Sequence, residues 1–158
     1  MAIDKARNWL KKYNLDNKIK ELSVTTATVK DAAIAIGTEE ARIAKTISFK
    51  VNDKAILIVC AGDTKIDNVK YKVCFGVKAK MLEFNEVETL IGHAVGGVCP
   101  FGINEDVLVY LDSSLKRFDI VYPACGSSNS MVELSIEELE KCSNYVKWID
   151  VCKVKDSN

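Results

Sequence analysis

The chain contains little glycine, proline or histidine, and it has no long apolar run. Its 158 residues include 8 Gly, 2 Pro and a single His, a composition that excludes collagen-like and low-complexity disordered proteins. The longest apolar run, AILIVCA at 55–61, is too short to span a bilayer. Residues 1–22 carry charges throughout and lack the apolar core of a secretory signal. We therefore expect one globular domain over residues 1–158, located in the cytoplasm and without a membrane partner.

The cysteines and the histidine match no metal motif. Zinc-type spacing is missing, because the six cysteines contain no CxxC pair. Without an export signal we expect most of these cysteines to be reduced and buried as small hydrophobic side chains. His93 has no evident carboxylate partner in the sequence, so a turn or core position is its default. Cys99 lies too close to His93 along the chain to favour a Cys–His nucleophile.

The charge is balanced overall and uneven locally. The 22 Lys and Arg residues equal the 22 Asp and Glu residues, which argues against nonspecific polyanion binding by the whole molecule. Two segments are nevertheless basic. Residues 5–20 hold six basic side chains against one acidic side chain, and residues 65–80 hold five against one. These segments are either solvated helix faces or a surface that meets phosphates.

Periodicity and capping residues predict several short helices. Apolar residues at helical spacing predict an amphipathic amino-terminal helix within residues 1–22. Thr28 and Gly37 have the residue types that begin and end a second helix, and a third short helix is expected from 38 to 44. Helical patterns follow at 67–75, at 85–91 with an Asn85 to Glu88 capping box, and after Ser135, which forms a capping box with Glu138.

Alternating and continuous apolar runs predict the strands. Residues 47–61 indicate a β-hairpin that turns at 52–54 and continues into a buried strand. Shorter strands are expected near 79–82 and at VLVYLD, MVEL and WIDVC. Because short strands alternate with short helices and some are joined by hairpins, the sequence predicts an α+β fold around a mixed sheet rather than a doubly wound parallel one.

Half of the glycines fall in one window, GHAVGGVCPFG at 92–102. Glycines let backbone N–H groups approach a ligand closely, and Pro100 stiffens the loop by fixing its own φ and restricting Cys99. Such a loop suits an oxyanion, a phosphate or a carbonyl. It matches neither the GxxxxGK[ST] nor the GxGxxG nucleotide-binding pattern, and a purely structural turn is an equal alternative.

Two other places offer polar groups. Lys45 lies in IAKTISF, where apolar neighbours suggest that its stem is embedded while its ammonium needs a partner. The default interpretation is that Lys45 is exposed at the end of a helix. The loop ACGSSNS at 124–130 carries hydroxyl and amide groups that can orient a ligand, and it is equally compatible with an ordinary turn.

Taken in order, the segments TVKDAAIAIG, RIAKTISF, AILIVCAGD, GHAVGGVCPFG, VLVYLDSSL, ACGSSNSMVEL and WIDV resemble the YbaK family, the prolyl-tRNA synthetase-associated editing domain. The resemblance runs from about residue 24 to residue 151. It implies an α+β domain with a mixed, barrel-like sheet and short helices around it. It also implies a free-standing deacylase that hydrolyses the ester of a mischarged tRNA, most often tRNA(Pro) with a small non-cognate amino acid. A synthetase is a possible further partner.

The same resemblance implies site residues and a reaction without zinc, another cofactor or a covalent intermediate. Lys45, Gly96 and Gly97 are the expected catalytic residues: the lysine anchors the tRNA end, and the glycine amides stabilise the oxyanion. Water or the neighbouring ribose hydroxyl performs the attack or relays the proton. The expected substrate-binding residues are Thr46, His93, Val98, Cys99, Pro100, Asp112, Gly126, Ser127, Ser128 and Asn129.

The sequence departs from the family pattern at two points. Cys99 stands where relatives usually carry Ser or a small residue, and ACGSSNSMVEL lacks the basic residues of the branch that removes cysteine. The amino acid removed is therefore left open among small side chains, because a pocket separates these by only about 1 to 3 kcal/mol per methylene. The alternative function is a non-catalytic module of the same fold that binds an aminoacyl-tRNA or nucleotide end. A third possibility is a structural protein in which the loop is only a tight turn.

Overall fold

A computed structural model describes residues 2–155, so Met1 and residues 156–158, the two ends of the predicted 1–158 domain, lie outside the described part of the chain. The α-helices are α1 Ala2–Lys11, α2 Val29–Ile36, α3 Asn68–Phe75, α4 Phe84–Ile91 and α5 Ile136–Cys142. The strands are β1 Ile19–Glu21, β2 Ile43–Val51, β3 Lys54–Ala61, β4 Thr64–Ile66, β5 Leu108–Asp112, β6 Ile120–Pro123, β7 Ser130–Val132, β8 Leu134–Ser135, β9 Trp148–Ile149 and β10 Cys152–Val154. Three 3₁₀ turns join them, at Asp16–Lys18, Glu40–Arg42 and Ser113–Arg117.

The main sheet has six strands in the order β8-β6-β2-β3-β5-β9, and it curls into a half-barrel. Strands β2 and β3 form an antiparallel hairpin. β6 joins β2 in parallel, and β5 and β9 extend the other side in parallel. The predicted α+β fold with a mixed, barrel-like sheet is confirmed. Within residues 2–155, no helix is long and apolar enough to cross a membrane.

Most of the predicted local signals are confirmed. The hydroxyl of Thr28 accepts a hydrogen bond from the N–H of Asp31, and Gly37 ends α2 with φ 81°. The two residues of the hairpin turn, Asn52 and Asp53, have φ 47° and 67°, a conformation that Asn and Asp tolerate. The capping box of α5 is present.

Five expectations about elements are wrong. The amino-terminal helix covers only Ala2–Lys11, because the chain turns at Asn14 with φ 60° and residues 19–21 pair with β7. The expected helix at 38–44 is a 3₁₀ turn followed by β2, whose first two residues pair with β6. MVEL and WIDVC each divide between two strands of different sheets. In the two segments that were predicted to be helical, pairing with distant strands outweighs the local helical preference.

The fourth correction concerns the start of α4, whose cap lies two residues earlier than predicted. Glu83 precedes the helix, and its N–H donates to the carboxylate of Glu86 at 3.0 Å, so the box is not formed by Asn85 and Glu88.

The fifth correction concerns the strand expected near 79–82. Met81 forms only an isolated bridge with Phe49, and Leu82 donates its N–H to the carbonyl of Ser48 at 3.2 Å. Residues 80–82 therefore lie extended beside β2 without forming a strand, and α4 starts directly after them.

The core lies on both faces of the sheet. The larger cluster packs β3, β5 and β6 against α1, α4 and α5, and the smaller one packs the opposite face against α3. A third cluster lies between α2 and the start of β2. β2 therefore runs between these clusters, and one of its edges is only partly covered.

Candidate active site at the open edge of strand β2

The free edge of β2 is covered at both ends and open in the middle. Its pairing with β6 stops at Ala44, and residues 80–82 cover it again from Ser48 to Lys50. Backbone groups alternate sides along a strand. The N–H of Lys50 and the carbonyl of Ser48 point outward, so the N–H and carbonyl of Thr46 also point outward. Within residues 2–155 no strand pairs with Thr46 on that side.

A cavity of about 390 Å³ lies over this opening, which is within the size range of small-ligand sites. Its walls come from five parts of the chain: the segment before α2 and its first turns, the first part of β2, residues 81–87 around the start of α4, the glycine loop, and Ala124 with Met131. Most of the lining is apolar. The polar side chains on it are those of Lys45, Thr46, Ser48, Thr26 and Thr28.

Lys45 is half-buried in this cavity rather than exposed at a helix end. It lies directly across from Cys60 on β3, and its ammonium donates a hydrogen bond to the carbonyl of Thr64. Burial lowers the pKa of Lys45, while the neighbouring thiols Cys60 and Cys152 and the carboxylate of Asp63 oppose that shift. An ammonium has three N–H donors, so two remain beside the bond to Thr64, a residue that does not itself line the cavity.

Two hydroxyls on the cavity have no partner among the described residues. Thr26 Oγ1 and Thr46 Oγ1 are both buried and make no hydrogen bond. An unpaired buried hydroxyl costs about 1 to 3 kcal/mol. Both residues therefore bring unused hydrogen-bonding capacity to the wall of the cavity.

The two adjacent glycines of the loop have different surroundings. Gly97 donates its N–H to the carbonyl of Ala94 at 3.1 Å, and its own carbonyl accepts from Gly126 at 3.0 Å. A Cβ at position 97 would stand 2.5 Å from the N of Ser127. The expectation that the Gly97 amide serves as an oxyanion donor is therefore corrected: the amide is already bonded, and glycine is needed there because two loops touch.

Gly96 differs from Gly97 because its amide is not bonded. It lines the cavity, has φ 99°, and its N–H has no hydrogen-bond partner within residues 2–155. A side chain at this position would meet only ordinary contacts, at 3.6 Å from Ala27 and from Ser128. The positive φ, rather than crowding, is the reason for glycine here.

Three of the expected binding residues lie in the core of the loop instead of on the cavity. His93 is buried, and its Nε2–H donates to the carbonyl of Phe101 at 2.6 Å; burial lowers its pKa. Cys99 is fully buried with its Sγ 3.4 Å from His93 Nε2, and burial raises its pKa well above the usual range. Pro100 is buried on the far side, next to Trp9. These residues stabilise the loop and do not line the cavity.

Asp112 and the 126–129 loop are likewise occupied by structural contacts. The carboxylate of Asp112 accepts from the N–H groups of Val151 at 2.8 Å and Ser114 at 3.0 Å. Ser127 donates to the side chain of Asn129, which in turn donates to the carbonyl of Leu22. The carbonyl of Ser128 accepts from Thr26 N–H at 2.7 Å. This loop thus holds the 22–26 segment in place as a wall of the cavity.

Helix α1, which lies outside the resemblance, supports both loops from behind. A Cβ at Gly102 would stand 2.5 Å from the carbonyl oxygen of Lys5, and one at Gly126 would stand 2.6 Å from that of Ala2. The ammonium of Lys5 also donates to the carbonyl of Gly92. The position of the glycine loop therefore depends on the amino-terminal helix.

Of the thirteen residues expected from the sequence, four line the cavity: Lys45, Thr46, Gly96 and Val98. Sequence reasoning missed Thr26, Ser48 and three exposed apolar residues at the mouth, Met81, Phe84 and Val95. Thr26 belongs to the TVKDAAIAIG neighbourhood and could have been noted as a hydroxyl before a helix cap. The apolar residues gave no signal, because an exposed Phe cannot be told from a core Phe in one sequence.

Comparison with known proteins identifies the family of this chain. A family model described as the aminoacyl-tRNA editing domain matches residues 24–142. The uncharacterized protein YwhH of Bacillus subtilis (strain 168) is 51% identical over 154 residues, covering 97% of this chain and 98% of that protein. A proline–tRNA ligase of Bacillus cytotoxicus is 30% identical over 101 residues, covering 63% of this chain and 18% of the ligase.

Among solved structures, a candidate trans-editing enzyme for prolyl tRNA synthetase superposes with a TM-score of 0.86 at 27% identity, covering 96% of this chain and 97% of that one. The family match covers most of the chain and includes Lys45, Thr46 and the whole glycine loop. The chain belongs to the aminoacyl-tRNA editing domain family.

Proposed function

We propose that this protein is an aminoacyl-tRNA deacylase that acts in trans on tRNA(Pro) mischarged with a small non-cognate amino acid. The observation that carries the proposal is the single cavity in which Lys45, Thr46 and Gly96 meet at the open edge of β2. The relation to proline–tRNA ligases supports the choice of tRNA. We expect a protein with this activity to work in the cytoplasm. Its expected partner there is a prolyl-tRNA synthetase, whose charging errors it corrects.

The proposed reaction is hydrolysis of the ester between the amino acid and the terminal ribose. Water adds to the ester carbonyl carbon, which becomes tetrahedral while negative charge builds on the carbonyl oxygen. Collapse of this intermediate breaks the bond to the ribose oxygen, and the proton lost by the water ends on that oxygen. The products are a free amino acid and a tRNA with a free terminal hydroxyl.

Backbone amides are the proposed donors to the oxyanion. The N–H groups of Gly96 and Thr46 are without partners on the cavity side within residues 2–155, whereas that of Gly97 is bonded. Removing one such donor costs roughly 3 kcal/mol of transition-state stabilisation. Thr46 therefore takes the place that the sequence had given to Gly97.

Lys45 is the proposed anchor for the terminal phosphate or a ribose hydroxyl. Its bond to the Thr64 carbonyl holds the ammonium in place, and two N–H donors remain. Positioning of this kind supplies much of the rate enhancement when a water attacks and the neighbouring ribose hydroxyl relays its proton. No strong side-chain base is required.

The size and lining of the cavity support a small aminoacyl group. About 390 Å³ must hold the terminal adenosine together with the amino acid. Ala32, Val87 and Met131 form buried apolar wall, so a larger side chain is opposed by close packing rather than by charge. Discrimination of this kind is worth only about 1 to 3 kcal/mol per methylene, which is why several small amino acids should be tested.

A panel of mischarged tRNAs tests the proposal. We expect tRNA(Pro) carrying one of the small amino acids to release it with multiple turnover. Lys45→Met, which keeps the stem and removes the charge, should abolish release while leaving the circular dichroism spectrum unchanged. Lys72→Met on the exposed side of α3 is the matched control and should retain activity. Release at the buffer rate across the whole panel would exclude the enzymatic function.

The alternative is a binding module of the same fold that does not turn over. The observation in its favour is the bonded Gly97 amide, which removes one of the expected oxyanion donors. Cys99 gives no support for it, because its fully buried thiol lies off the cavity. Tight binding of aminoacylated tRNA with no released amino acid would favour this alternative, and multiple turnover would exclude it.

A further inference from the structure

The mouth of the cavity carries exposed apolar side chains. Phe84 is 80% exposed, Met81 61% and Val95 50%, and all three line the cavity. Single exposed apolar residues are ordinary on protein surfaces, but a group of them around one opening indicates a binding surface. Phe84 is the largest of the three and the only aromatic ring on the cavity lining.

Phe84 continues the apolar stripe of α4 past the edge of the core. It stands three residues before Val87 and seven before Ile91, and both of these are buried. Residues at this spacing share one helix face, so the ring lies on the cavity side. The backbone beneath it is held on both sides, by the Leu82 to Ser48 bond and by the Glu83 to Glu86 bond. The ring is therefore exposed, and the backbone that carries it is held by hydrogen bonds.

One basic side chain lies close to the same opening in sequence and along the sheet. Lys80 is exposed and lies beside β2, where its carbonyl accepts from Lys50. Of the nearby carboxylates, Glu86 is paired with Lys50 at 3.4 Å, and Glu83 is exposed just before Phe84. The segment from residue 80 to residue 84 thus presents one ammonium group and an aromatic face, a combination that fits single-stranded nucleic acid.

We propose that Phe84 is a stacking platform for the terminal base of the single-stranded 3′ end of the substrate RNA, with Lys80 contacting one of its phosphates. This inference rests on the proposed function for the identity of the RNA, and it names a residue that positions the substrate outside the reacting groups. Stacking on an aromatic ring accepts any base, so the platform fixes where the terminal nucleotide lies and leaves tRNA identity to other contacts.

The test uses an uncharged RNA minihelix with a single-stranded 3′ tail whose terminal adenine is replaced by 2-aminopurine. Stacking quenches 2-aminopurine fluorescence, and no hydrolysis is needed. With the full-length protein we expect quenching on binding. Phe84→Leu, which stays apolar but cannot stack, should abolish the quenching and weaken binding roughly 5- to 150-fold. Phe84→Trp should restore both.

Val73→Ala is the matched control, because Val73 is 82% exposed on α3 and does not line the cavity. It should leave quenching and affinity unchanged. Lys80→Ala should reduce the slope of log affinity against log salt by about 0.7, the value for one phosphate contact on a single strand. Equal quenching by the native protein and Phe84→Leu, or equal affinity for a blunt-ended duplex, would overturn the inference.

Different results would exclude the deacylase function and the stacking role of Phe84. Phe84-dependent quenching without release of any amino acid would retain the platform and exclude the deacylase. Release of an amino acid with the same KM and the same quenching in Phe84→Leu would retain the deacylase and exclude the platform. If Phe84→Leu impairs only binding of a synthetase, the surface is a protein interface and the inference is wrong.

Discussion

Thr46→Val should make the free protein more stable and the enzyme less active. The Thr46 hydroxyl is buried without a hydrogen-bond partner among residues 2–155, and valine keeps the shape while removing the oxygen. An unpaired buried hydroxyl costs about 1 to 3 kcal/mol. We expect the free energy of unfolding to rise by up to that amount, and Tm to rise by about 2 to 4 °C for each kcal/mol in a chain of this size.

The catalytic effect has the opposite sign. If the hydroxyl bonds the substrate, its loss removes a neutral hydrogen bond worth about 0.5 to 1.5 kcal/mol, which lowers kcat/KM roughly 2- to 13-fold. The backbone N–H of Thr46 is retained in the variant, so the loss reports on the side chain alone. A larger decrease would indicate that the hydroxyl contacts a charged group.

Tyr71→Phe provides the matched control. The phenol oxygen of Tyr71 is also buried and unpartnered within the described residues, burial raises its pKa to about 12, and it packs against Phe49 and Phe75 away from the cavity. Its removal should raise stability without changing kcat/KM. Thermal unfolding and deacylation of mischarged tRNA measure the two quantities. A Thr46→Val protein that is less stable and fully active would refute the reasoning.

Two further predictions concern the glycine loop. Gly97→Ala should lower the free energy of unfolding by about 1 to 3 kcal/mol in urea titration, because its Cβ would stand 2.5 Å from Ser127 N. Gly76→Ala, which has no neighbour within 4 Å and only a positive φ to strain, should cost about 1 kcal/mol; a reversed order would contradict the loop contact. Burial lowers the pKa of His93 below its usual 6.5. The unfolded chain therefore binds more protons, and stability should fall as pH drops below about 6.5. His93→Gln should flatten that part of the stability–pH curve, and an unchanged slope would show that His93 is not responsible.

Helix caps and the hairpin were predictable because their signals are local. Thr28 and Gly37 bound α2, Ser135 and Glu138 form the capping box of α5, and the Asn-Asp pair turns the hairpin. Each of these depends on residues within a few positions of one another. The prediction of a helix at 38–44 was wrong because β6, almost eighty residues downstream, pairs with Ile43 and Ala44. No local pattern announces such a partner.

The site was predictable in part. The pattern around RIAKTISF and the glycine loop identified Lys45, Thr46, Gly96 and Val98, all of which line the cavity. It could not separate Gly96 from Gly97, since the difference lies in the approach of the 126–127 backbone. It also gave no reason to choose Phe84, whose exposure depends on where α4 passes the edge of the core.

The amino-acid sequence by itself determined the α+β class, most helix ends, the central hairpin and the membership of a family with an editing fold. Those features follow from short-range backbone preferences and from the order of motifs along the chain. Only the tertiary structure decided which groups are free to bind a substrate. The gap between β6 and residues 80–82 leaves the Thr46 backbone unpaired on that side. The folded glycine loop bonds the Gly97 N–H to the carbonyl of Ala94 and leaves the Gly96 N–H without a partner among residues 2–155. Which backbone groups stay free depends on how the segments fold and pack against one another, and the local sequence does not reveal it.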